Sequence, residues 1–178
     1  MITRTFSMRK DLIEALEKEA RSRSISTSAL MNQTIDRSVR QVWPSEKIGV
    51  IVIGRYAIKD LLDFMSPDDV RKVATSSAQQ HKIRASILYG TEQRLESVLE
   101  MMDKVTGPYF GWFTFTHLAN GRDHKVLLNH SIGEGWSIWL EAYFRSFFME
   151  MLEIPVKSSF TDNTVVLEFR ARELSFPL

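Results

Sequence analysis

MITRTFSMRKDLIEALEKEARSRSISTSALMNQTIDRSVR, residues 1–40, is the stretch whose reading decides the fold. Its first eight residues alternate. Ile2, Phe6 and Met8 share one face with Arg4, and Thr3, Thr5 and Ser7 share the other, the period-two pattern of a strand. A helix follows with an apolar stripe at Leu12, Leu16 and Ala20, flanked by Ile13. A second helix starts at Ser26 or Thr27, both good N-caps, and carries Ala29, Leu30, Ile35 and Val39. Strand, helix and helix in about forty residues cannot enclose a core alone, so the segment calls for a second chain. Two copies could pair their strands into an antiparallel ribbon over four helices. The hydroxyl face of such a ribbon fits the DNA major groove, and the second helix start offers N–H groups to phosphate.

The motifs R-T-F-S-M (4–8), L-I-E-A-L-E-K-E-A (12–20) and I-S-T-S-A-L-M (25–31) resemble those of the ribbon-helix-helix (Arc/MetJ/CopG-like) DNA-binding family. The resemblance covers about the first quarter of the chain. It implies that Thr3, Thr5 and Ser7, with Arg4 if it twists outward, read bases, and that Ser26, Thr27 and Ser28 hold the backbone. Arg23-Ser24 stands where the family has a glycine turn, and the base-reading face has no other Arg or Lys. An N-terminal helical hairpin whose strand joins the main sheet is the alternative.

Residues 1–43 hold eight Lys/Arg against five Asp/Glu, a charge of +3, which leaves −2 on the rest of a chain of net charge +1. A basic module on a mildly acidic body suits a DNA reader attached to a second domain. With 178 residues and 44% hydrophobic content, one compact domain plus a small module is expected. The absence of cysteine excludes disulfides, thiol catalysis and Cys-ligated metals within this chain. No apolar run reaches the roughly 20 residues that span a bilayer, and the strand pattern from Met1 leaves no room for a signal peptide. A cytoplasmic protein with no membrane partner is expected.

Trp43-Pro44-Ser45 marks the boundary, giving a module over 1–42 and a body over 46–178. Lys47 to Gly54 reads as a buried strand and Ile58 to Met65 as a short helix. Ser66-Pro67-Asp68-Asp69 starts a helix that runs to about Gln80. Ile83 to Tyr89 reads as another strand, and Thr91 caps a helix that Gly107-Pro108 ends. Asn120-Gly121 predicts a hairpin in which Phe113 faces Leu128, Phe115 faces Val126 and His117 faces His124. The longest helix then runs to Leu152, and a second hairpin turns at Thr161-Asp162-Asn163. The expected fold is α+β: a ribbon-helix-helix module, then a domain with a mainly antiparallel sheet covered by helices. The H-S-I-G-E-G-W-S segment (130–137) with its aromatic helix faintly resembles sensor domains of the vinyl-reductase and haem–nitric-oxide-binding type, with no functional residue carried across.

Two constellations bear on chemistry. His117 and His124, opposed across the hairpin, with His130 of the same parity as His124, are candidate metal ligands. The simpler reading is two histidines on a solvated tip. Trp136, Trp139, Tyr143 and Phe147 are candidate lining for an apolar ligand pocket or interface, against plain core packing. No phosphate loop, nucleophile elbow or carboxylate pair stands out, so an enzyme is not expected. No cofactor is indicated. The expectation is a dimeric transcriptional regulator bound to double-stranded DNA, with a sensing or oligomerising body and a small molecule or a metal as candidate effector. The alternative is an interaction adaptor or metal-binding protein that uses the first module only to dimerise.

Overall fold

The computed structural model describes residues 5, 7–43, 46, 53–89 and 93–171. The chain divides into two compact units, Met1–Lys47 and Ile48–Leu178. In the first, α1 spans Lys10–Ser22 and α2 spans Thr27–Arg37, followed by a π turn over Ser38–Val42. Ser26 caps α2 by accepting the Ala29 N–H at 3.1 Å. The turn between the helices takes the left-handed conformation at Ser24, φ 55°. The Ile25 N–H bonds to the Ala20 carbonyl and the Ser24 N–H to that of Arg21, which is a Schellman closure with serine in the usual glycine place. Ala20 and Leu30, on either side of this turn, are buried. Away from the turn, Leu12, Ile13, Ile35, Val39 and Trp43 are exposed.

The strand expected over residues 2–8 lies largely outside the described residues. Thr5, Ser7 and Met8, which are described, form no strand in the single chain. The strand expected over 47–54 also lies almost wholly outside them.

In the second unit, α3 (Arg55–Asp63), α4 (Pro67–Tyr89) and α5 (Leu95–Met101) precede strands β1 (Thr114–Asn120) and β2 (Asp123–Asn129). Helix α6 (Glu134–Leu152) and strands β3 (Lys157–Thr161) and β4 (Thr164–Arg170) follow. The four strands lie in the order β1-β2-β4-β3, every pairing antiparallel. Among the described residues the fold is therefore α+β with six α-helices and one four-stranded sheet.

Helix α4 starts as its sequence demands. Ser66 accepts the Asp69 N–H and donates to the Asp69 carboxylate, and Pro67 takes the first helical position. It does not stop at Gln80. The run from Ile83 to Tyr89, read as a strand from its apolar content, continues the helix. No proline or glycine interrupts the sequence between Pro67 and Gly90, and local β-type composition yields to an uninterrupted helix. This makes α4, at 23 residues, longer than α6 at 19.

The first hairpin forms two residues out of the expected register. Phe115 faces Leu128, His117 faces Val126 and Asn120 faces Asp123. Gly121 and Arg122 form the loop, with positive φ at Gly121 (59°) alone, as a type II′ turn requires. A shift of two preserves side-chain parity. Phe113, Val126 and Leu128 therefore still face the core, joined by Val165, Leu167 and Phe169 of β4.

Helix α6 packs against this face and against α4. Phe144 meets Phe113, and Phe148 meets Phe169, at ring-centroid distances of 5.6 and 4.9 Å. The approach of α3 is set by Gly135, where a Cβ would lie 3.0 Å from that of Leu62. Phe144→Ala should destabilise the protein by about 3–5 kcal/mol, since it removes a fully buried ring from a packed layer. Met149→Ala, on the exposed side of the same helix, should change stability by about 0.5 kcal/mol or less in the same denaturant titration.

Candidate functional site

Helix α6 places its aromatic residues at spacings of three and four. The result is a column of rings. Trp136 stacks on Trp139 at 4.7 Å, Trp139 on Tyr143 at 4.7 Å, and Tyr143 on Phe147 at 5.8 Å. Trp112, from the segment before β1, stands edge-on to Trp136, Trp139 and Tyr143. Its carbonyl accepts the Trp136 indole N–H at 3.0 Å. The four residues read as pocket lining therefore fill space against one another. Trp136, Tyr143 and Phe147 are buried and Trp139 is half-buried. The column is core. Tyr143 is fully buried, and burial raises its phenol well above the usual tyrosine range. Its hydroxyl is hydrogen-bonded to Nδ1 of His81 on α4. His81 carried no motif in the sequence; only the length of α4 brings it here.

The three candidate metal ligands separate. His117 and His124 touch through Nε2 and Nδ1 at 2.9 Å, diagonally across the shifted register. Their rings are near parallel, and His124 stacks in turn on Phe169. Burial, with the His124 charge as a lesser cause, holds His117 below the usual histidine range. His130 turns elsewhere. Its Nε2 is 2.8 Å from the Ser137 hydroxyl, which donates to the Thr161 carbonyl at 2.6 Å. Its Nδ1 faces the Ile132 N–H at 3.4 Å. Since Ser137 spends its proton on Thr161, Nε2 is the donor to Ser137 and Nδ1 the acceptor, which fixes a neutral ring. No group of three or more His, Asp or Glu side chains is placed to hold a metal among the described residues. The ligand set His117, His124 and His130 is corrected to a stacked pair and a separate structural histidine, because His130 lies beyond the hairpin and bonds into α6.

Where Pro108 and Trp112 approach the end of β2, a cleft of about 380 Å³ opens. Arg55, Asn129, His130 and Ser131 also line it. The Arg55 guanidinium reaches Ser131 Oγ at 3.3 Å. Arg55 belongs to no motif in the sequence. Only the tertiary fold brings it to Ser131, 76 residues away.

Of the residues assigned to DNA, Thr3 and Arg4 lie outside the described residues. Thr5 and Ser7 are exposed, Ser26 serves as the α2 cap, and Thr27 and Ser28 occupy the first turn of that helix.

No protein-family model matches the chain, and no curated protein matches it. Among solved structures it aligns with a trafficking protein particle complex subunit 3 from Naegleria fowleri, whose crystal structure is covalently bound to palmitic acid. That alignment covers 93% of this chain and 100% of the other, with 11% identity and a TM-score of 0.40. At that score the likeness carries neither fold nor role to this chain. These findings correct the family reading. No family model supports the ribbon-helix-helix resemblance or the sensor-domain resemblance, and the described residues before α1 form no strand. The regulator function built on that resemblance is withdrawn with it, and the expected DNA partner gains no support.

The neutral state of His130 gives a pH signature. Burial pushes its imidazole down to about 4, against 6.5 for a free histidine. Below pH 6.5 the unfolded chain takes up this proton and the folded chain does not. Stability is therefore full above pH 6.5 and falls as the pH drops towards 4. His130→Gln keeps a donor towards Ser137 without a titrating ring. Urea midpoints measured from pH 7.5 to 4 should fall less steeply in this variant than in the wild type.

Proposed function

We propose that this protein is an interaction adaptor that self-associates through its N-terminal helical hairpin and carries the aromatic α+β unit as its folded body. The observation that carries the reading is the distribution of apolar surface in the first unit. Ala20 and Leu30 are its buried hydrophobic residues among those described, whereas Leu12, Ile13, Ile35, Val39 and Trp43 are between 40% and 56% exposed. A unit of this size cannot stabilise two helices by packing only at their turn. A second copy supplies the same face and closes it symmetrically, as in most homodimers.

The polar side supports the same reading. Arg9–Asp11, Arg21–Glu17 and Arg23–Glu19 pair within the chain. Such exposed pairs contribute little and keep the helix surface soluble around an apolar contact. A metal-centred role is not favoured, because no three His, Asp or Glu side chains come together among the described residues and His130 is committed to Ser137 and Ile132.

Light scattering on a sizing column, with the protein diluted over about a hundredfold, should give a dimer that dissociates with dilution. Leu12→Asp with Ile35→Asp places charges in the apolar contact and should yield a monomer whose second unit keeps its near-ultraviolet aromatic signal. A wild-type protein that stays monomeric at the highest concentration, or a double variant that dimerises as the wild type does, would overturn the proposal.

A further inference from the structure

The cleft beside Trp112 has the makings of an anion site that neither the aromatic column nor the proposed dimer uses. Arg55 is its one cation among the described lining residues, and none of them is acidic. Arg9, Arg21, Arg23, Arg71, Arg145 and Arg170 each lie within 4 Å of a carboxylate. Among the described residues, Arg55 instead makes one long hydrogen bond, to Ser131, and has no acidic partner. A guanidinium has five donors in a planar fork, so most of that fork is left to a ligand.

We infer that this cleft binds a small monocarboxylate with an apolar or aromatic body, its carboxylate on Arg55 and Ser131 and its body on Trp112. Three features select this class. The planar fork matches a carboxylate with two parallel hydrogen bonds. A single cation balances one negative charge and not the dianion of a phosphate. His130, on the same wall, adds no charge, because its nitrogens are committed to Ser137 and Ile132. The apolar wall is rigid: Trp112 is held by the rings of α6 and by the Trp136 indole N–H on its carbonyl. A volume near 380 Å³ lies at the lower end of small-ligand sites and suits a molecule of one ring.

The test is calorimetric titration of the full chain with sodium benzoate, with neutral benzamide and inorganic phosphate as the other arms. Benzoate should saturate at one per chain and bind at least about tenfold more tightly than benzamide, the loss expected when a charge-assisted pair is removed. Arg55→Gln should weaken benzoate by a similar factor, Arg55→Lys by less, and Arg71→Gln, outside the cleft, not at all. Arg55 is exposed, so Arg55→Gln should keep the wild-type urea midpoint. Three results would overturn the assignment. They are no saturable benzoate uptake up to about 10 mM, uptake equal in wild type and Arg55→Gln, and phosphate binding at Arg55 as tight as that of benzoate. None of these depends on whether the chain dimerises.

Discussion

Helix α6 is the element on which the second unit depends. It is buried along most of its circumference, with the sheet on one side and α4 on the other. A helix in that position must satisfy its polar side chains inside the protein, because water cannot reach them. Each one does so by reaching a neighbouring element. Ser137 donates to the backbone at the end of β3, Glu141 accepts from Ser158 of β3, and Tyr143 meets His81 of α4. No buried side-chain polar atom among the described residues lacks a partner. The aromatic column supplies the area, and these bonds fix the rotation of the helix between its two neighbours. A slip of one residue would break all three at once and turn the column away from Trp112.

The same constraint explains what the sequence could and could not tell. Side-chain parity was legible. Phe113, Val126, Leu128, Val165 and Leu167 alternate in the chain and face the core in the fold. The exact pairing was not. Asn120-Gly121 and Gly121-Arg122 both make acceptable two-residue turns, and a shift of two leaves the hydrophobic pattern unchanged. Helices α1 and α2, with their stripe, cap and turn, were legible because their signals are local. The second half of α4 was misread, since a short apolar run looks alike in a strand and in a buried helix.

The site was less legible than the fold. Trp136, Trp139, Tyr143 and Phe147 were recognisable as a unit, but their spacing cannot say whether the rings enclose a space or fill it. Stacking at 4.7 Å answers that question and needs coordinates. His81 and Arg55 had no signal at all, because each acquires its role from a residue more than sixty positions away. The histidines show the opposite error. A pattern in sequence placed three together, and hydrogen bonding to α6 took one of them out.

The two units differ in how they are stabilised. The second closes its own core with rings and satisfied polar groups. The first leaves an apolar face open at the ends of its helices, and the account rests on a second copy covering it. Hydrogen exchange of the full chain, followed by mass spectrometry at two protein concentrations about a hundredfold apart, tests this most directly. Amides of α1 and α2 should be protected more strongly in the concentrated sample, while those of α6 exchange equally slowly in both. Equal protection of α1 and α2 at both concentrations, with no sign of dimer, would contradict it.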